Sequence, residues 1–207
     1  YMAYCFKGCT NLTQAPEIPV GVTNMNSCFE GCTGLTQAPA IPAGVTDMGR
    51  CFTDCEKLTQ APGIPASVRN MSYCFKGCAS LVQAPTIPTR VTSMFNCFKG
   101  CTSLTEAPAI PANVENMNSC FYGCAGLTRA PIIPASVTDM RYCFCNCKKL
   151  TYVVLECDYK YDRFNLAFSG CSSLTAGSIK VPKKAYPFYL LHVDEMDAQK
   201  EWFTASY

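Results

Sequence analysis

Apolar positions recur along this chain in a single spacing. From Met25 they fall at Met25, Cys28, Phe29 and Cys32, then at Leu35, Ile41 and Val45. The same set restarts at Met48, Met71, Met94, Met117 and Met140. The first four lie at i, i+3, i+4 and i+7, which is one face of a helix. The spacing therefore predicts a helix of about two turns in each unit, with that face inward. The residue before each methionine is Asn24, Asp47, Asn70, Ser93, Asn116 or Asp139. All are of the type that caps a helix by accepting a bond from an orphan amide. The stop falls at Gly8, Gly31, Asp54, Gly77, Gly100, Gly123, Asn146 and Gly170, residues that tolerate the positive φ of a C-cap.

After each predicted helix comes Leu-Thr-x-Ala-Pro, as in Leu35-Thr36-Gln37-Ala38-Pro39. Leucine faces in, and the next two residues suit a very short parallel strand. Proline ends that strand because it has no N–H for the ladder. Pro39-Ala40-Ile41-Pro42 then reads as an extended wall with Ile41 inward. The pattern changes near the C-terminus. Leu150-Thr151-Tyr152-Val153-Val154-Leu155 lacks both prolines and reads as a regular strand, and Ser178 to Pro182 as a last one. Val193 to Thr204 suits a closing helix, with Trp202 and Phe203 laid over the core.

The first cysteine of the phrase stands at 5, 28, 51, 74, 97, 120 and 143, a strict period of 23. A fixed period of this length marks a stacked repeat. One unit cannot fold alone. Its five or six large apolar side chains offer about 1.5–3 kcal/mol each, against about 1–2 kcal/mol of backbone entropy for every residue ordered. The expected architecture is an α/β repeat of about eight 23-residue rungs over residues 1–175, the last degenerate at Ala167 to Leu174, with 176–207 as a C-terminal capping segment. Tyr1 falls inside a repeat, so an N-terminal part is expected to be missing.

Composition narrows the functional classes. Hydrophobic content of 49% with 15% charged residues excludes disorder. A net charge of +2 gives no reason to expect nucleic acid or an anionic membrane as partner. No apolar run is long enough to span a bilayer. Cysteine numbers 17, an odd count that leaves at least one thiol unpaired within the chain. All but Cys145 and Cys157 occupy two inward-facing places of the phrase, which reads as small buried thiols. Disulfides between neighbouring rungs remain the alternative, since rung spacing suits the Cα separation of about 4.4–6.8 Å that they need.

Catalytic chemistry finds no foothold. His192 is the only histidine, set between Leu191 and Val193, with no activated nucleophile motif nearby. The Cys-x3-Cys spacing is not that of a structural zinc site, and no metal or other cofactor is expected. Asp47, Asp54 and Asp139 serve as caps, while Glu17, Glu30, Glu106 and Glu115 are scattered. Neither set forms a carboxylate pair at fixed offset. Cys145 takes the place of Lys7, Lys76 and Lys99, so it is expected to be exposed and is the candidate reactive thiol; pairing with Cys157 is the alternative. The candidate ligand-binding row follows each Leu-Thr: Gln14, Gln37, Gln60, Gln83, Glu106, Arg129 and Tyr152. It suits either an amide ladder along the stack or a groove whose specificity lies at the end departing from glutamine. Lys7, Glu30, Thr53, Lys76, Lys99 and Tyr122 read as a solvated face. The basic residues Lys148, Lys149, Lys180, Lys183 and Lys184 read as solubilising.

Ala-Phe-Ser-Gly-Cys-Ser-Ser-Leu-Thr at 167–175, with its Cys-Phe-x-Gly-Cys versions upstream, resembles the BspA-like (treponemal-type) leucine-rich repeats. The Leu-Thr-x-Ala-Pro-x-Ile-Pro segment is similar to a variant common in gut Bacteroidetes. The resemblance covers about residues 2–182. It departs from ordinary leucine-rich repeats in lacking their asparagine ladder, and from the commoner BspA-like unit in its second proline and first cysteine. It implies a right-handed leucine-rich-repeat solenoid from a bacterial protein, extracellular or on the outer cell surface, lipid-anchored through the missing N-terminus. It also implies a non-catalytic adhesion module whose partner is a protein or glycan on a host or neighbouring cell. An anaerobic source would keep exported thiols reduced. The competing reading is a structural spacer with no ligand of its own, and the near-identity of Thr-Gln-Ala-Pro over the first rungs favours it.

Overall fold

The computed structural model describes residues 1–206. It shows an open, parallel repeat fold. In the N-terminal units the strand is a single bridged residue: Gln14 pairs with Gln37, Gln37 with Gln60, Gln60 with Gln83 and Gln83 with Glu106, all parallel. The Ala-Pro that follows gives no further amide to the ladder. Pairing lengthens where the sequence allows it. Strands β1 (Arg129–Ile133), β2 (Tyr152–Leu155), β3 (Ile179–Pro182) and β4 (Phe203–Ser206) form one parallel sheet in the order β1-β2-β3-β4. β1 contains Pro131, and its register with β2 shifts between Arg129 and Ile132. The proline-free β2 and the strand at 179–182 fall where the sequence places them.

The helix expected in each unit is replaced by a run of hydrogen-bonded turns. In Met25 to Cys32, amides alternate in their partners. Met25, Ser27, Phe29 and Gly31 donate to Asp47, Gly49, Cys51 and Thr53 of the next unit, at 2.9, 2.8, 2.9 and 2.8 Å. Cys28, Glu30 and Cys32 donate back three residues instead, to Met25, Ser27 and Phe29. An α-helix needs i→i−4 bonds throughout, and it cannot pass Ser27 (φ +52°) and Gly31 (φ +75°). A non-glycine residue at positive φ costs about 1–2 kcal/mol. Four bonds to the neighbouring unit, at about 0.5–1.5 kcal/mol each, exceed that cost. The cap residues keep their chemistry in the new setting: Asn24, Asp47, Asn70 and Asn116 accept the amide two residues on, at 2.8–3.0 Å.

The inward set is the expected one. From Met25 to Leu127, each methionine, cysteine, phenylalanine and leucine of the phrase is 0% exposed. The phenylalanines stack from Phe6 to Phe168 with centroids 5.2–6.0 Å apart and rings within 8° of parallel. The isoleucines of the polyproline-like wall divide evenly: Ile18, Ile87 and Ile133 are buried, whereas Ile41, Ile64 and Ile110 are half-buried.

The C-terminal segment also departs from expectation. Its α-helix, α1, is Tyr186–Leu191, opened by Pro187 in the first turn. Residues 193–197, expected as helix, instead stack as another turn run, since Leu166 and Phe168 donate their amides to Glu195 and Met196. Asp197 lies at φ +51° and closes that run. Phe203 is 4% exposed, packs edge-on to Phe168 and stacks on Tyr189, while Trp202 is half-buried against the core.

Candidate functional site

The strand row assembles from the bottom up. Each member follows a leucine buried in the core and a threonine at the surface. Thr36, Thr128 and Thr151 each donate their hydroxyl to the threonine carbonyl of the preceding unit, at 3.0–3.4 Å. Those threonines hold units in register, which leaves the next residue as the first free outward position. Successive parallel pairings then bring Gln14, Gln37, Gln60, Gln83, Glu106, Arg129 and Tyr152 into one row. All are exposed except the half-buried Tyr152. Among the described residues no hydrogen bond joins these glutamine side chains to one another, so their amides face solvent. The row is shallow, with depressions bounded by Gln37, Thr59, Gln60 and Pro62 and by Gln60, Val82, Gln83 and Glu106. At its C-terminal end the Arg129 guanidinium sits 5.2 Å from the Tyr152 ring and the Lys180 ammonium 5.7 Å from it.

The thiols are structural. The second cysteine of each unit points its Sγ at the carbonyl of a phenylalanine in the preceding unit: Cys32 to Phe6, Cys55 to Phe29, Cys78 to Phe52 and onward to Cys171 with Phe144, at 3.0–3.2 Å. A thiol is small enough for this column and still gives its weak donor to a buried carbonyl. Burial pushes the thiols of Cys97, Cys124 and Cys171 up to about 12. All 17 cysteines are free, and only Cys5 and Cys9, at the N-terminal end of the stack, are exposed.

Cys145, expected at the surface, is 7% exposed. A thiol is shorter than the lysine it replaces, so it settles among the neighbouring units, and burial raises its pKa. It contacts the Asn146 amide at 3.6 Å, whereas Cys157 lies 3.7 Å from the Tyr189 hydroxyl, so the two thiols have different partners. His192 stacks on Tyr159 (4.6 Å) and sits 3.0 Å from Glu195, whose other oxygen accepts the Tyr159 hydroxyl. That cluster, led by the Tyr159 hydrogen bond, holds the Glu195 carboxyl below its usual range. It ties the C-terminal segment together and contains no nucleophile. Asp139 is taken up by Arg141 and Arg163, at 2.5 and 3.4 Å. The C-terminal basic residues are dispersed: Lys184 pairs with Asp158, and Lys180 faces Tyr152. Among the described residues no group of three His, Cys, Asp or Glu could hold a metal, and no helix is long and apolar enough to cross a membrane.

One surface was read from the sequence only in part. On the turn side, Tyr73, Phe95, Tyr122 and Tyr142 line a groove together with Lys76 and Lys99. Lys76, Lys99 and Tyr122 share the column expected as a solvated face, whereas Tyr73, Phe95 and Tyr142 join it from two other columns of the phrase.

Comparison with known proteins places this architecture. No curated protein matches the chain. The crystal structure of a T. pallidum leucine-rich-repeat protein is similar, at 20% identity and a TM-score of 0.62, over 93% of this chain and 84% of that one. A leucine-rich-repeat protein from Eubacterium ventriosum is similar at 24% identity and a TM-score of 0.61, over 77% of this chain but 43% of its own length. At these identities the likeness shows the fold, and it does not single out the Bacteroidetes. The family model for the BspA type leucine-rich repeat region matches residues 2–103 and 71–188, in six copies. With nearly the whole chain matched, this repeat protein belongs to the BspA-type leucine-rich-repeat family.

Proposed function

We propose that the chain is a binding module of a bacterial surface protein, recognising a protein or glycan through the strand row Gln14, Gln37, Gln60, Gln83, Glu106, Arg129 and Tyr152. One observation carries this reading. The row presents exposed side chains with no hydrogen bonds among themselves, and its chemistry changes from amide to charge and aromatic toward Arg129 and Tyr152. Such a gradient gives a partner a defined end to dock against, where aromatic and arginine side chains supply most binding energy. The reading takes the chain as about eight 23-residue rungs of a right-handed solenoid over 1–175 with 176–207 as its cap, carried outside the cell by a lipid anchor. Bridges at a constant offset of 23 residues, as from Gln14 to Gln37 to Gln60, support the 23-residue period.

A spacer with no ligand is the second reading, favoured by the four glutamines that leave much of the row monotonous. Immobilised protein probed with a glycan array and a panel of extracellular-matrix proteins separates the two. A binder whose affinity falls at least tenfold in both Arg129→Ala and Tyr152→Ala, about 1.4 kcal/mol, supports the strand row. Binders indifferent to both substitutions overturn the strand row as the site, and the absence of any binder returns the chain to a spacer.

A further inference from the structure

The turn-side groove departs from the repeat where the repeat has no structural need to vary. Its residues come from three columns of the phrase. One column reads Ser27, Arg50, Tyr73, Asn96, Ser119, Tyr142; the adjoining one gives Phe95, and the third reads Glu30, Thr53, Lys76, Lys99, Tyr122. Aromatic residues concentrate in the units between Met71 and Tyr142, whereas the units starting at Met25 and Met48 place Ser27, Glu30, Arg50 and Thr53 there. The backbone of the first column is the same throughout, at φ +52° to +59° from Ser27 to Tyr142. The variation is therefore in side-chain chemistry alone.

That chemistry is specific. The rings of Tyr73 and Phe95 meet edge to face at 5.0 Å, and Tyr142 is 38% exposed at the groove's far side. Three cations border it. Arg50 lies 4.3 Å over the Tyr73 ring, and Lys99 lies 4.5 Å over Tyr122. Lys76 reaches Asp54 only at 3.9 Å. Among the described residues Arg50 and Lys99 have no ion pair, and none of the groove's lining residues is acidic. Asn96 lines the groove, and no hydrogen bond joins its side-chain amide to the described residues. That amide is not one of the buried polar atoms left without a partner, so it meets solvent at the groove and is open to an outside donor or acceptor.

Apolar ring faces, two cations without an ion pair, a third held only loosely by Asp54, and a solvent-facing amide along consecutive units fit a ligand that is anionic and rich in hydroxyls. The geometry points to this groove as a binding site for an acidic saccharide, one whose sugar rings carry a carboxylate. The pyranose C–H face rests on Tyr142 and Tyr122, the carboxylate pairs with Lys99 and Lys76, and ring hydroxyls bond the Asn96 amide. Charge-assisted bonds to lysine set the preference for an acidic sugar over a neutral one. A net charge of +2 and only three local cations suit one or two carboxylates rather than a nucleic acid strand. The site is independent of the strand row.

Calorimetric titration of the full chain with trigalacturonic acid, 3′-sialyllactose and neutral lactose tests this. At least one acidic sugar binds, lactose binds at least tenfold more weakly, and affinity falls about tenfold or more in Lys99→Ala and Tyr122→Ala. Lys99→Arg retains binding. Arg129→Ala and Tyr152→Ala leave it unchanged, so loss of the strand-row reading is distinguishable from loss of this one. Circular dichroism melting of each variant reports that the stack is intact. The proposal is overturned if neither acidic sugar binds, if lactose binds equally well, if a tri-glutamate peptide matches the acidic sugars, or if Lys99→Ala has no effect in a folded variant.

Discussion

A thiol beside a phenylalanine carbonyl does two jobs in this molecule, filling a small apolar slot and satisfying an acceptor. Its pKa shows the cost of asking it to do anything else. Cys97 and Cys124 are raised from 9.0 to about 12 by burial, so the thiolate is absent at neutral pH. Native protein treated with a thiol reagent at pH 8 should therefore label at Cys5 and Cys9 quickly, and at the others only on unfolding, with mass spectrometry as the readout. Rapid labelling of Cys145 in the native state would instead restore it as a reactive site. The same shifts set an alkaline limit. Well below pH 9 both folded and unfolded chains hold the thiol proton, and the stability is complete. As pH rises through 9 and on toward 12 the unfolded chain releases protons that the folded chain keeps, so stability falls. Urea midpoints measured at pH 6, 7 and 9 should be flat over the first interval and drop over the second.

At the scale of the turn run, the sequence was legible in its side chains and not in its hydrogen bonds. Met25, Cys28, Phe29 and Cys32 point inward in a helix and in these turns alike, because both place i, i+3, i+4 and i+7 on one side. What differs is where the Ser27 and Phe29 amides go, and that is decided by Gly49 and Cys51 of the next unit. A local reading has no access to that partner. The glycine position was readable because positive φ is a local demand, and Gly123 isolates it. At φ +72°, a Cβ added there meets only the Gly100 backbone, at 3.9 Å or beyond. Gly123→Ala should thus cost about 1 kcal/mol from backbone conformation without a clash, read as a lower urea midpoint at constant m-value. A cost above about 3 kcal/mol would mean that the turn run tolerates no adjustment. The strand row was legible for the converse reason, since it sits at fixed offset from the buried leucine. The turn-side groove was legible only in part, since Lys76, Lys99 and Tyr122 share one column while Tyr73 and Phe95 reach it from two others.

Across the whole molecule, each unit's amides, thiols and rings are completed by its neighbours, so stability is a sum over contacts between adjacent units. The Phe29–Phe52–Phe75 stack and the bonds from Cys78 to Phe52 and from Phe52 to Cys74 all join adjacent units. Removing one complete period should therefore preserve every type of contact while removing one set. Deleting residues 60–82 joins Thr59 to Gln83 and restores Thr-Gln-Ala-Pro across the junction. Deleting 60–81 instead leaves Val82 after Thr59 and displaces the proline that ends the short strand by one residue. The full-period deletion should melt in one cooperative transition with a slightly lower m-value, in proportion to the surface lost. The deletion one residue short forces a bulge or a slipped register, since a one-residue shift turns inward side chains outward. It should lose several kcal/mol of stability or split the transition in two. Equal stability of the two variants would show that the period of 23 residues does not set the stacking register. In that case the ladders of phenylalanine and cysteine would be a consequence of the fold and not its cause.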